Sequence, residues 1–324
     1  MKDYAVELVP IIYHPFFAHH LTGIGHPECP QRCEVIVNAL SKQGLLTKEN
    51  MFTPLLASLD EVLLCHDKSY VEIVQNNVAI AKRSQAINGE YTLSTGDVQI
   101  CPDSLDVALF ACGAALKAVE IVMEGFFKTA FCPIRPPGHH ATTNQGMGFC
   151  IFNNVAIAAR YAMKKYGLKR ILIADWDLHH GNGTQEIFFS DSRVFYFSTH
   201  QSGIYPGTGF ADERGYGNIL NCPIAGGTGS RLNVLKAFQK QLIPAMHKFH
   251  PELVFISAGF DAHVDDPLGN LDLTTDDFRE LTEILQGIAL QHCEGRLISL
   301  LEGGYNLNAL AECAVAHVKA LSRG

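Results

Sequence analysis

The feature that most restricts the fold of this chain is a regular alternation of short apolar runs with longer amphipathic ones. Strand-like runs, several rich in Ile, Val and Phe, occupy residues 6–12, 129–134, 170–174, 194–197, 253–257 and 296–300. Helical patterns lie at residues 31–43, 68–84, 104–126, 154–166, 231–249, 275–291 and 308–321. Apolar strands separated by helices are typical of a parallel sheet buried on both faces. We therefore predict an α/β fold with helices on both faces of a mainly parallel sheet.

The pattern also predicts the domain organisation and some helix ends. No long linker, repeat or low-complexity tract interrupts it, so we predict one domain over residues 1–324. Gly44 follows the first helical pattern and suits a helix end. Asp276, Asp277 and Glu280 suit the positive N-terminal end of the helix that begins near residue 275.

Composition excludes several classes of function. Hydrophobic residues make up 47% of the chain and charged residues 18%, which is compatible with a large core and not with a mostly disordered chain. The net charge of −8 disfavours direct binding of nucleic acid. No apolar run reaches the roughly 20 residues of a membrane helix, and residues 1–21 lack the layout of a signal peptide. We expect a cytoplasmic protein without a membrane partner.

The ten cysteines do not suggest a disulfide framework or a zinc finger. None forms a CxxC pair, and most lie in apolar runs. In a reducing compartment we expect them to be small buried hydrophobic residues.

Polar side chains are concentrated just after the predicted strands. The five segments are residues 135–140 (RPPGHH), 175–183 (DWDLHHGNG), 198–200 (STH), 258–261 (AGFD) and 302–305 (EGGY). Because the carboxyl ends of parallel strands share one edge of the sheet, we expect these segments to form a single site. Each segment alone has an ordinary structural interpretation, such as a surface loop or a glycine turn, but all five together favour a site.

This site contains candidate metal ligands. Asp177 and His179 are two residues apart on an extended stretch, so both can point the same way. Asp261 can supply a third ligand from another strand end. Three ligands leave room for water and substrate, as in a catalytic zinc site, and oxygen and nitrogen ligands would also admit Fe²⁺, Co²⁺ or Mn²⁺.

The remaining polar residues suggest acid–base chemistry. His139 and His140 can transfer protons, with Asp175 and Asn182 as orienting partners of the rings. Tyr305 can donate a hydrogen bond to a developing oxyanion. These parts together predict metal-assisted hydrolysis of an amide or ester.

At these residues the sequence resembles the histone deacetylase superfamily, which includes acetylpolyamine amidohydrolases and acetoin-utilisation proteins. The similarity runs from about residue 13 to 321 and is carried by residues 26–32, 135–140, 146–150, 175–185, 206–209, 257–261 and 302–305. The stretches at 26–32, 175–185 and 266–269 are similar to the class II branch. The resemblance implies a single arginase-like domain around a mainly eight-stranded parallel sheet.

The resemblance also implies roles for individual residues. Zinc would be held by Asp177, His179 and Asp261. His139 and His140 would be the paired acid/base histidines, with Asp175 as partner of the first. Asn182 stands where class I members carry Asp; an amide orients His140 but lends no charge to raise its pKa. Tyr305 would polarise the scissile carbonyl.

Further residues would recognise substrate. Phe149 and Tyr205 match the aromatic walls of an acyl-lysine tunnel, and Gly148 matches a backbone carbonyl that accepts the substrate amide N–H. Arg32 matches an arginine beneath the site. Asp97 aligns loosely with an aspartate at the tunnel rim that holds the substrate backbone.

Two potassium sites are implied as well. An inner site, near the zinc, would use Asp175, Asp177, His179, Ser198 and Thr199. An outer site would use Phe188, Asp191 and Val194.

From these features we predict a zinc-dependent deacylase whose partner is an ε-acyl-lysine protein or peptide. An acetylpolyamine amidohydrolase is the first alternative, but Leu268 stands where polyamine-selective members carry Glu. A non-catalytic acyl-binding module and an arginase-like di-manganese hydrolase are further alternatives. The complete set of ligands and histidines disfavours the former, and the lack of extra carboxylates in the motifs disfavours the latter.

Overall fold

A computed structural model describes residues 8–323 of the chain, and its centre is one parallel β-sheet of eight strands. The strands are β1 (Ile11–Ile12), β2 (Met51–Phe52), β5 (Thr129–Cys132), β6 (Ile171–Asp175), β7 (Val194–Gln201), β8 (Ile219–Ile224), β9 (Leu253–Ala258) and β10 (Leu297–Leu301). Their order across the sheet is β2-β1-β5-β10-β9-β6-β7-β8. A separate antiparallel hairpin joins β3 (Tyr91–Thr92) to β4 (Gln99–Ile100). The predicted parallel α/β architecture is confirmed.

Helices cover both faces of this sheet. They are α1 (Gln31–Lys42), α2 (Leu59–Val62), α3 (Lys68–Arg83), α4 (Ser104–Met123), α5 (Asn154–Tyr166), α6 (Asn182–Phe188), α7 (Ser230–Ala237), α8 (Ile243–Phe249), α9 (Thr275–Cys293) and α10 (Leu307–Leu321). A 3₁₀ turn (Pro15–His19) follows β1, and a π-helical segment (Phe238–Leu242) joins α7 to α8. Strand β5 contacts both α4 and α10, and β9 contacts both α5 and α9. Because these central strands are covered on both sides, every residue in them is buried, which explains their continuous apolar sequence.

Local signals place several helix ends correctly. Gly44 lies just past α1 with φ 68°, a backbone conformation that glycine adopts without strain. Thr274 and Asp277 form a reciprocal capping box at the start of α9. Helix α5 has the predicted bounds.

Other predicted elements differ from the structure. Of the strand predicted at residues 6–12, only Ile11–Ile12 form a strand. Residues 6 and 7 lie outside the described part of the chain. The helix predicted to reach residue 126 ends at Met123. The single helix predicted over 231–249 is α7, a π-helical segment and α8.

The π-helical segment has a cause in the sequence. Val234, Phe238, Leu242 and Met246 are all buried and recur every four residues. That spacing exceeds the 3.6 residues of an α-helical turn, so a wider turn keeps these side chains on one side.

The five strands that carry the polar segments are neighbours in the sheet, although β7 runs to Gln201 and so contains the segment 198–200 that was predicted to follow it. Their order is β5-β10-β9-β6-β7, with all carboxyl ends at one edge. The expectation that these segments share one edge is therefore confirmed. Within residues 8–323, no helix has both the length and the apolar character required to span a membrane. All ten cysteines are free thiols, and nine of them are buried.

Candidate active site

Three side chains converge at the ends of β6 and β9. The Nδ1 atom of His179 lies 3.2 Å from Oδ1 of Asp177 and 3.1 Å from Oδ2 of Asp261. One ligand atom from each residue lies within 4.8 Å of the others. Both aspartates are buried, and His179 is partly exposed towards a cavity. The structure thus brings together the three residues predicted to bind metal.

The backbone orients both carboxylates towards this point. Gly303 donates its N–H to Oδ2 of Asp177 at 2.7 Å, and Leu178 donates to Oδ1 of Asp261 at 2.8 Å. Glycine is required at Gly303, because a Cβ there would lie 2.3 Å from Asp261 and 2.6 Å from Asp177. Each carboxylate is left with an oxygen facing His179.

The electrostatics of this cluster fit a divalent cation. Burial and the neighbouring Asp177 charge raise the pKa of Asp261 to about 7. Two buried carboxylates at this separation repel each other unless a positive charge lies between them. Two carboxylate oxygens and one imidazole nitrogen are a donor set that suits zinc and also Fe²⁺ or Co²⁺.

The two adjacent histidines have different partners. Their ring centroids are 4.1 Å apart. Nδ1 of His139 lies 3.0 Å from Oδ2 of Asp175, whereas Nδ1 of His140 lies 2.8 Å from Oδ1 of Asn182. Asp175 also accepts hydrogen bonds from the Tyr196 hydroxyl at 2.9 Å and the Asp177 N–H at 3.1 Å. A carboxylate therefore orients one imidazole and an amide the other.

This difference separates the proton affinities of the pair. Burial lowers the pKa of His139, but the carboxylates of Asp177 and Asp175 outweigh it and hold that pKa well above its usual value. Burial and the neighbouring His139 and His179 hold the pKa of His140 well below its usual value. One ring is thus suited to carry a proton and the other to accept one.

Tyr305 faces the metal-ligand cluster from the loop after β10. Burial keeps the pKa of its hydroxyl well above the usual value, so the group remains a hydrogen-bond donor at neutral pH. The Arg32 guanidinium lies 4.9 Å from the Tyr305 ring centroid, and its Nε donates to the Gly304 carbonyl at 2.7 Å. Arg32 is fully buried and supports the loop from below, so it does not line the cavity.

A cavity of about 220 Å³ leads from the surface to these residues. It is lined by Asp97, His140, Gly148, Phe149, His179, Tyr205, Leu268 and Tyr305. We call His139, His140, Asp177, His179, Asp261 and Tyr305 the catalytic floor. We call Asp97, Gly148, Phe149, Tyr205 and Leu268 the mouth. Larger grooves of about 540 and 450 Å³ elsewhere on the surface include none of these side chains.

Two aromatic rings of the mouth form cavity walls that contact the floor. The Phe149 ring centroid is 5.9 Å from that of Tyr305, and the Tyr205 centroid is 5.2 Å from that of His140. Two consecutive residues, Gly148 and Phe149, have positive φ angles of 54° and 68°. A Cβ at Gly148 would lie 2.3 Å from Cδ2 of His140, so only glycine fits there.

Two aspartates hold the loops of the mouth. Oδ1 of Asp97 accepts the Gly148 N–H at 2.8 Å. Asp266 accepts the Leu268 N–H at 3.1 Å with one oxygen and the Tyr305 N–H at 2.7 Å with the other. Asp266 therefore connects the Leu268 loop to the Tyr305 loop.

Four supporting residues have no role predicted from the sequence: Tyr196, Ser257, Asp266 and Glu302. Glu302 opens the Glu-Gly-Gly-Tyr segment directly after β10, and that position was the available signal. Its carboxylate accepts the Gly138 N–H at 2.7 Å, the His139 N–H at 3.1 Å and the Ser257 hydroxyl at 3.1 Å.

The residues predicted for potassium lie in two places. Of the inner-site residues, Asp175 is the last residue of β6 and pairs with Ser198 of β7, Thr199 is also in β7, and Asp177 and His179 follow β6. The carbonyl groups of Phe188, Asp191 and Val194, predicted for the outer site, point to a common atom, Nδ2 of Asn218.

Comparisons with known proteins agree with this geometry. Residues 26–321 match the model of the histone deacetylase domain. Histone deacetylase 14, chloroplastic, from Arabidopsis thaliana is 38% identical over 314 residues, covering 91% of this chain and 73% of the relative. Polyamine deacetylase HDAC10 from Mus musculus is 38% identical over 304 residues, covering 91% of this chain and 44% of the relative.

A solved structure shows the same fold. The HDA15 HD domain superposes with a TM-score of 0.88 at 33% sequence identity, covering 97% of this chain and 90% of that one. The chain therefore belongs to the histone deacetylase family.

Proposed function

We propose that this histone deacetylase family member hydrolyses the side-chain amide of acyl-lysine residues in proteins or peptides. The observation that carries the proposal is the narrow aromatic-walled cavity, which ends at the catalytic floor. A cavity of this kind accommodates an uncharged acylated stem and brings its carbonyl to the end of the tunnel.

Asp177, His179 and Asp261 would hold the cation, for which we propose zinc. A divalent cation at these ligands supplies Lewis acidity, which acidifies water and polarises a carbonyl. The remaining steps depend on this chain's own side chains. Nε2 of His140, the ring with the lowered pKa, accepts a proton from the attacking water.

The other two groups of the floor, His139 and Tyr305, stabilise the charge that develops on the carbonyl. The histidine pair also protonates the leaving amine. His139, whose pKa is held high by Asp177 and Asp175, carries a proton and supplies positive charge beside the reacting carbonyl. The Tyr305 hydroxyl donates a hydrogen bond to the carbonyl oxygen as negative charge develops there. The protonated pair then returns a proton to the lysine nitrogen when the amide C–N bond breaks.

The mouth supplies substrate recognition in this proposal. Phe149 and Tyr205 pack on the methylene groups of the lysine stem, and the Gly148 carbonyl accepts the substrate amide N–H. Asp97 accepts N–H groups of the substrate backbone at the rim. Leu268 packs against the peptide.

Hydrolysis of N-acetylpolyamines is the second candidate. Two observations favour it: a mouse relative is named polyamine deacetylase, and the Asp97 carboxylate lines the cavity mouth. We rank it second because Leu268, which also lines the cavity, offers no charge to a distal ammonium group.

Three finer features complete the proposal. Asn182 in place of Asp supports a class II-like member. We propose an inner potassium ion held by Asp175, Asp177, His179, Ser198 and Thr199. Ten free cysteines support a reducing compartment such as the cytoplasm.

The decisive experiment compares substrates on the purified protein. Peptides carrying acetyl-lysine and longer acyl-lysines are assayed beside N-acetylated polyamines, with the metal content measured on the same sample. We expect acyl-lysine peptides to have the higher kcat/KM and about one zinc per chain. A preference for polyamines would overturn the protein-substrate proposal, and turnover of neither class would overturn both.

A further inference from the structure

Glu302 links the two sides of the catalytic floor. Its side chain is fully buried between the loop after β5 and the end of β9. One carboxylate oxygen, Oε2, accepts the N–H groups of both Gly138 and His139, and the other accepts the Ser257 hydroxyl. The backbone of the same residue begins the loop that ends at Tyr305.

Arg32 holds this loop from the opposite side. Its guanidinium donates to the carbonyls of Glu302 and Gly304 and lies beneath the Tyr305 ring. The side chain of Glu302 is therefore fixed to the loop that carries His139. Its backbone is fixed at the start of the loop that carries Tyr305. No exposed group takes part in this connection, since Glu302, Arg32 and His139 are all buried.

We propose that Glu302 is a positioning residue for the deacylation reaction, an inference that rests on the proposed function. It sets the distance of the His139–His140 pair from Tyr305 by receiving two backbone N–H groups on one oxygen. A displacement of about 1 Å in such a pair can reduce turnover by about 100-fold.

Two substitutions separate the effect of the Glu302 side-chain length from the effect of its carboxylate charge. Glu302→Gln keeps the length of the side chain and one oxygen for Gly138 and His139, while Ser257 can accept from the new amide. Glu302→Asp keeps the carboxylate but is one methylene too short for these contacts. We expect Glu302→Gln to retain kcat within a few-fold, and Glu302→Asp to lose kcat by about 10- to 100-fold at nearly unchanged KM and metal content.

The control is a second buried carboxylate far from the site. Asp277→Asn perturbs the capping box of α9 and should lower the melting temperature without changing kcat. Equal kcat in Glu302→Asp and wild type would overturn the proposal, and so would a Glu302→Gln variant as slow as Glu302→Asp.

Crystal structures of the two variants give a result independent of substrate. We expect the Gly138–His139 backbone to shift in Glu302→Asp and to stay in place in Glu302→Gln. An unmoved backbone in both would overturn the positioning role even if the substrate class proposed above is wrong.

A second inference comes from a separate place, the carbonyl cluster around Asn218. Nδ2 of Asn218 lies 2.8 Å from the Phe188 carbonyl oxygen, 3.2 Å from that of Asp191 and 2.9 Å from that of Val194. Oδ1 of the same side chain accepts the Tyr216 N–H at 2.9 Å, which fixes the orientation of the amide. The residue is buried.

This arrangement does not fit an outer potassium ion. The two N–H groups of the Asn218 amide are shared among the three carbonyl groups, and a cation at their centre would overlap with Nδ2. We infer that the Asn218 amide takes the place of the outer ion, so that the carbonyl groups of Phe188, Asp191 and Val194 bind no potassium in this chain.

Crystals grown with Rb⁺ or Tl⁺ test this directly by anomalous scattering. We expect no peak among the three carbonyl oxygens in the wild type and a peak there in Asn218→Ala, which removes the amide. Addition of K⁺ should also raise the melting temperature of Asn218→Ala more than that of the wild type. Potassium binding at the inner site raises both melting temperatures equally, so it does not contribute to the difference between them. A wild-type peak at this place, or none in the variant, would overturn the inference.

Discussion

The catalytic floor and the mouth of the cavity are built in different ways. In the floor, Asp177 and Asp261 are almost completely buried, and backbone N–H groups orient both carboxylates. In the mouth, Tyr205 is 39% exposed and Leu268 is 38% exposed. The floor comes from the segments that follow four neighbouring strands, β5, β10, β9 and β6, whereas the mouth also includes residues of the β3–β4 hairpin and of the loop after β7.

The difference assigns chemistry and selectivity to separate parts of the fold. A buried charged group that loses its partner is costly, so the floor tolerates little change. Exposed loop residues are less constrained by neighbouring protein groups, so we expect the mouth to change with a small effect on the reaction itself. Substitutions in the two regions should therefore differ strongly in magnitude.

The largest effect is expected from the metal ligands. Asp177→Asn and His179→Ala each remove one of three ligands and should abolish turnover by loss of metal. Metal analysis of the purified variants measures this, with Asp276→Asn, an exposed carboxylate outside the site, as control. Full zinc occupancy in both ligand variants would exclude these residues as ligands.

A smaller effect is expected from the oxyanion donor. Tyr305→Phe deletes one hydroxyl and should lower kcat by about 10²–10³, the loss typical of one oxyanion-hole donor, at unchanged metal content. The matched change in the mouth is Tyr205→Phe, which keeps the aromatic wall and should alter kcat/KM by only about a few-fold. Steady-state kinetics on one acetyl-lysine peptide compares the two. Similar losses in both variants would refute the division between floor and mouth.

The smallest effect is expected at Leu268. Leu268→Glu places a carboxylate at the mouth, where it can pair with the distal ammonium of an acetylpolyamine. A partly exposed ion pair is worth about 0.2–1 kcal/mol, so the kcat/KM ratio of polyamine to peptide should rise by about a few-fold. Val264→Glu adds the same charge in the same loop but outside the cavity lining and should leave the ratio unchanged. A ratio that is equal in both variants and the wild type would remove Leu268 from the recognition surface.

The sequence was most informative where one physical cause dominates. Strands such as β6 and β9 are buried on both faces, so a continuous apolar run predicts them. The clustering of the site followed from the rule that ligands bind at the carboxyl ends of parallel strands. Asp177, His179 and Asp261 could be brought together in this way without knowledge of any side-chain conformation.

Elements that contain residues unfavourable to their own secondary structure, or that are very short, were not predicted. Strand β8 contains Asn221 and Pro223, which disfavour a strand assignment, and an edge position tolerates them. Helix α6 begins at Asn182 beside two glycines, which are poor helix formers. Strands β1 and β2 have only two residues each, too few for a periodic pattern.

Contacts between distant segments could not be predicted at all. Glu302 and His139 are 163 residues apart, and Asn218 approaches Phe188 from a loop of no regular structure. Such contacts depend on side-chain conformations that a single sequence does not encode in a local pattern.

The position of β10 has a consequence for synthesis on the ribosome. This strand is the last one in the chain, yet it lies between β5 and β9 in the middle of the sheet. Until residues 297–301 leave the ribosome, the nascent sheet has two facing edges with unpaired N–H and C=O groups at its centre. Closing this gap requires contacts between residues far apart in sequence, which is the slow part of folding for parallel sheets. Tyr305 lies four residues after β10, so the residue proposed as the oxyanion donor reaches the site only when the two half-sheets are joined.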